Sequence, residues 1–72
     1  MHPIEAYLAR KGIDVETYAK RARRSPSAIY SYFQGARRPL RKHLARLSAA
    51  TGNEVSVDDL LKYHGFELTE AN

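Results

Sequence analysis

Tyr18-Ala19-Lys20-Arg21-Ala22-Arg23-Arg24-Ser25-Pro26-Ser27-Ala28-Ile29-Tyr30-Ser31-Tyr32-Phe33-Gln34-Gly35, followed by Arg37-Arg38-Pro39, is the stretch on which the fold turns. Ser25 is a helix N-cap residue, Pro26 suits a first helical position where an N–H has no partner, and Gly35 can take the positive φ that ends a helix. Between them Ile29, Tyr32 and Phe33 recur at i, i+3 and i+4, so the pattern predicts a helix over 26–33 with that stripe inward. Pro26, Ser27, Tyr30, Ser31 and Gln34 are then left on the outer side. Just upstream, Tyr18, Ala19 and Ala22 form the inner stripe of another short helix, 15–22, with Asp14 as its N-cap and Glu16 near the positive end of its dipole. Only the break at Arg23-Arg24-Ser25 separates the two helices.

Working outward, Pro3, the Ile4/Tyr7/Leu8 stripe and Gly12 predict a helix over 3–11. Downstream, Leu40, Leu44 and Leu47 predict a helix over 40–51 with all three inward, ending at Gly52-Asn53. Ser56 and Asp59 have capping-box spacing and open a last helix, 57–63, which Gly65 ends. No segment alternates as a strand does. The expected fold is an all-α, compact five-helix bundle. One domain over 1–66 and a frayed tail over 67–72 are expected.

Charge sharpens this picture. The 72-residue chain carries a net +4, yet from Thr17 to Asn53 there is no Asp or Glu. That stretch holds Lys20, Arg21, Arg23, Arg24, Arg37, Arg38, Arg41, Lys42 and Arg46, while both flanking segments are net acidic. A basic middle between acidic ends creates a polarised field whose natural partner is a polyanion. An α-helix of eight residues fits the major groove of B-DNA and can set several side chains against base edges. A pair of short helices with a tight break, the second carrying small hydrogen-bonding side chains outward, suits that task.

Other classes are disfavoured. With no cysteine, disulfides and thiolate metal sites are excluded, and the core must come from apolar packing. His2, His43 and His64 lack metal-ligand spacing, so no metal or other cofactor is expected. No nucleophile, base and orienting group assemble, and no Gly-rich phosphate loop is present, so an enzyme is not expected. No apolar run approaches the ~20 residues of a membrane span, and residues 1–7 lack a secretory pattern, so a cytoplasmic protein is expected.

The quoted stretch resembles the helix-turn-helix of the phage repressor and Cro (XRE-like) family. That family shows Leu-Ala, three residues, Gly-Val-Ser, three residues, Ile, two residues, an apolar residue, then Gly and Arg-Pro. The resemblance runs from Ile4 to Leu61, and its most specific part is the spacing from Ala19 through Ser25 and Ile29 to Gly35 and Pro39. Arg23 stands at the turn glycine, so either it takes positive φ at some cost or the turn differs from the family's. Arg24 replaces the next apolar residue and is expected to point outward. The resemblance implies a lambda-repressor-like bundle, operator binding to double-stranded DNA, a homodimer on a palindrome and a phage or mobile-element regulator.

Carried onto matching positions, it implies base contacts from Pro26, Ser27 and Ser31, with Tyr30 at the groove edge. Gln34, Arg37, Arg38 and Arg41 would hold phosphates, and Arg24 joins them by its charge. Backbone N–H groups at the starts of the second and fourth helices could also bind phosphate. Tyr63, Phe66 and Leu68 form an apolar surplus read as a dimer interface. Two other readings stay open: a protein-interaction (anti-activator) module using that surplus, and an excision accessory factor sharing the DNA-binding mechanism.

Overall fold

A computed structural model describes residues 1–65, and Phe66 and Leu68 of the expected dimer interface lie outside them. Five α-helices are present among the described residues: α1 (Pro3–Lys11), α2 (Val15–Ala22), α3 (Pro26–Gln34), α4 (Leu44–Ala49) and α5 (Val57–His64). A 3-10 turn, Arg41–His43, leads into α4. No strand occurs among these residues. The helices pack α2 on α3 and α4, and α5 on α1 and α4.

Local chemistry explains the boundaries. Asp14 and Ser25 accept from the backbone N–H groups of Thr17 and Ala28 at the starts of α2 and α3. Ser56 and Asp59 complete a reciprocal capping box at the start of α5. Each such cap satisfies donors that the helix leaves orphaned.

The break between α2 and α3 is a Schellman closure. The N–H of Arg23 donates to Lys20 O at 3.2 Å, and that of Arg24 to Ala19 O at 3.0 Å. Arg23 sits in the left-handed region, φ 58° and ψ 40°. A left-handed L-residue costs about 1–2 kcal/mol, and a glycine loses about 0.5–1 kcal/mol more backbone freedom on folding. Arg23→Gly is therefore expected to stabilise the fold by about 0.5–1 kcal/mol, read as a higher thermal midpoint.

The core is built from the expected stripes: Ile4, Tyr7 and Leu8 of α1, Tyr18, Ala19 and Ala22 of α2, Ile29 and Tyr32 of α3, Leu44 and Leu47 of α4, and Leu60 and Leu61 of α5. Phe33 is half-buried and packs against this cluster. Two polar side chains, Ser48 and Thr51, are buried with it and tie down the α4–α5 loop. Ser48 Oγ donates to Val55 O at 2.7 Å, and Val55 N–H donates to Thr51 Oγ1 at 3.1 Å.

One element departs from expectation. The helix predicted over 40–51 is shorter, split between the 3-10 turn and α4. Leu40, expected inward, is 58% exposed. It has extended backbone, φ −65° and ψ 144°. The physical reason is Pro39, whose side chain is fully buried. With residue 39 turned in, the extended residue after it turns out.

Candidate nucleic-acid interface

The helix α3 owes its orientation to its buried side. Ala28, Ile29 and Tyr32 are at most 3% exposed, which fixes the opposite side toward solvent. Pro26, Ser27, Tyr30 and Gln34 are exposed, and Ser31 is half-buried. The outer face is therefore short and polar at its start and aromatic further along, with no charge of its own.

Beyond Gly35 the chain turns back under control of Ser31, whose carbonyl accepts from both Ala36 N–H (3.0 Å) and Arg37 N–H (3.3 Å). This pair of hydrogen bonds sets the direction of Arg37 and Arg38. Together with Arg24 from the α2–α3 break they line a pocket of about 280 Å³ whose walls also include Tyr32 and Leu40. Three arginines, from the loops before and after α3, thus converge on one pocket. Arg24, expected to point outward, is instead half-buried. Its Nε is buried with no hydrogen-bond partner among the described residues. The exposed Leu40 acts as an apolar lip of the same pocket.

The positive field extends along the 3-10 turn. His43 is held below the usual imidazole range first by burial, then by the positive charges of Arg24, Lys42 and Arg46. Lys42 and Arg46 are neighbours of His43 along the chain, whereas Arg24 comes from the α2–α3 break, which therefore lies near the 3-10 turn. Arg41 is half-buried in the same turn. The salt bridges of Arg10 and Lys11 lie elsewhere, both to Glu54, and tie the end of α1 to the α4–α5 loop at 3.4 and 3.0 Å.

A second concavity, about 440 Å³, opens on the other flank of α3. Leu8, Ile13, Val15 and Phe33 line it with Tyr30 and Gln34, and Glu5, Asp14 and Glu16 give it an acidic rim. Tyr30 and Gln34 therefore border an acidic flank. The start of α2 is closed by the Asp14 carboxylate, whose pKa is lowered by its hydrogen bonds to Thr17. That is a correction: a helix end already occupied by a carboxylate does not attract a phosphate. The basic flank is the one able to hold phosphates.

Of the expected dimer-interface residues, only Tyr63 is described. It is 45% exposed, with its ring 4.7 Å from that of His2. Sequence reasoning weighed His2 only as a metal ligand and gave it no structural role. It is 1% exposed and caps α1, with Nδ1 accepting from Ile4 N–H at 3.1 Å. The signal was Pro3 at the first helical position, which makes residue 2 the N-cap even though His is not among the favoured caps. Among the described residues no cluster of three or more metal-ligating side chains occurs, and no helix is long and apolar enough to cross a membrane.

Comparison with family models, with curated proteins and with solved structures finds no match to this chain.

Proposed function

We propose that this protein is a helix-turn-helix regulator that binds double-stranded DNA in a sequence-dependent way, with α3 in the major groove. The observation that carries this reading is the pairing of an exposed, uncharged, hydrogen-bonding start of α3 with a pocket of three arginines drawn from the loops before and after that helix. Base edges call for the first and backbone phosphates for the second. Pro26, Ser27 and Ser31 face the bases, and Tyr30 lies at the groove edge. Arg24, Arg37 and Arg38 take phosphate oxygens, with Arg41 flanking them; Gln34, which lines the acidic-rimmed concavity, is not assigned a phosphate. The buried Nε–H of Arg24 supports this, since a buried donor without a partner costs about 1–3 kcal/mol and an oxoanion supplies the acceptor.

The protein acts as a homodimer on a palindrome, its two copies of α3 roughly 34 Å apart, one turn of the duplex. Tyr63 belongs to that dimer contact. Operator control of a phage or mobile element is the regulatory role that fits such a module.

Selection from a random duplex pool, followed by gel shift, tests the proposal. Binding of about nanomolar affinity that falls steeply with salt is expected. Absence of any shift, or a salt-insensitive one, would sink it. Ser27→Ala is expected to change preference at one base pair by about two- to tenfold while binding to random duplex stays nearly constant. Ser31→Ala should do the same at a neighbouring pair, as read from competition with single-base operator variants.

A further inference from the structure

We propose that His2 and His64 form an acid-opened latch that fixes the start of α1 to the end of α5. Their Nε2 atoms lie 2.9 Å apart although 62 residues separate them in the chain. The proton positions follow from the cap. Because His2 Nδ1 accepts from Ile4 N–H, the neutral ring carries its proton on Nε2. Nε2 therefore donates to His64 Nε2, which leaves the His64 proton on Nδ1. His2 has no nitrogen to spare: one holds the α1 cap and the other holds α5. A proton added to His2 Nδ1 removes the cap acceptor, and one added to His64 Nε2 removes the latch acceptor. Either protonation breaks a bond the folded state uses. A metal ion is a poor alternative occupant, since His2 Nε2 offers no lone pair while the cap is formed.

The surroundings reinforce this. His2 is enclosed by Phe33 of α3 (ring centroids 5.2 Å) and Tyr63 of α5 (4.7 Å). Tyr32 of α3 and Tyr63 are also set against His64, at 6.4 and 5.2 Å. The charged groups acting on the pair are Arg38 and the N-terminal ammonium, both positive, so neither favours an imidazolium. Burial, then His64 and the ammonium, pulls His2 down to about 4. Burial, then Arg38, lowers His64. With folded values below the unfolded value near 6.5, the unfolded chain binds protons first as pH falls. The latch therefore contributes its full stability above about pH 6.5 and loses it progressively toward about pH 4.

His64 O also accepts from Arg38 Nη1 at 3.3 Å, so the latch reaches the arginine pocket. Any effect on DNA affinity rests on the proposed function, but the latch itself is tested without DNA, so the two can fail separately.

The test uses protein with nothing added before Met1. Histidine ring NMR between pH 8 and pH 4, on the wild-type chain, is expected to show His2 still neutral at pH 5.5. Denaturant midpoints should fall as pH drops from 7.5 to 4.5 in the wild type. They should fall less in His2→Asn, which keeps a cap acceptor, and in His64→Gln, which keeps an acceptor for His2. His43 is present in all three proteins and cancels from the comparison. A His2 ring that titrates near 6.5 overturns the proposal, as does an equal loss of midpoint in the wild type and both variants. Should a variant not fold, the wild-type ring titration decides alone.

Discussion

Arg37→Ala combined with Arg38→Ala is expected to weaken binding to every duplex, matched or random, by about 10- to 100-fold near 0.1 M salt. Both side chains are exposed and line one pocket with Arg24, so their loss removes charge from the site rather than volume from the core. Each arginine withdrawn from a phosphate should also flatten the dependence of log K on log salt by about 0.9, or about 2 for the pair. Fluorescence anisotropy at several salt concentrations, with an operator and a scrambled duplex, measures both effects. The thermal midpoint should stay near the wild-type value, because both side chains are exposed and surface contacts of this kind contribute little. An unchanged salt slope would place the DNA contacts elsewhere. A weakening confined to the operator would assign these arginines to base reading.

Tyr18→Phe is expected to destabilise the fold by about 1–3 kcal/mol, a large share for a chain of this size. Tyr18 is wholly buried, and its hydroxyl donates to Leu47 O at 2.8 Å. That carbonyl lies in the last turn of α4, where helical acceptors lack partners. Thr51 N–H, which could have served it, bonds to Ser48 O instead. The phenylalanine variant would keep the ring packing and leave a buried acceptor unsatisfied. Burial, reinforced by Tyr7 and Tyr32, pushes the Tyr18 hydroxyl above the usual phenol range, so it stays protonated as the donor this bond requires. Urea denaturation at constant pH gives the measurement. A loss below about 0.5 kcal/mol would mean that Leu47 O finds another donor.

The two helices around the break show how much periodicity and capping can determine. Asp14, Ser25 and Ser56 cap the helices they were expected to cap, and the Ile29/Tyr32 stripe is buried. Each of these features depends on residues within one or two turns of each other, so local chemistry settles them. Arg23 shows the same from the other side. The turn demands a left-handed residue whatever stands there, and the arginine adopts it, φ 58°. The outer side of α3 follows from its inner side, which is why Ser27 and Tyr30 could be named as exposed from spacing alone.

Leu40, Arg24 and His2 mark where local reasoning ends. Helical periodicity gave Leu40 a core position, but only one of two adjacent residues could turn inward, and the rigid Pro39 fills that place. Arg24 is half-buried because the break that carries it lies against the loop that carries Arg37 and Arg38. Nothing within a few residues of Arg24 encodes that approach. His2 and His64 meet only because α5 packs across α1.

The order of apolar, capping and charged residues determined by itself that this chain folds as short helices with a basic middle, since those preferences act over a turn or two. Which arginines share a pocket, which leucine is left in solvent and which histidines touch were decided only when the helices packed. Those outcomes depend on competition for a single core among residues far apart in the chain.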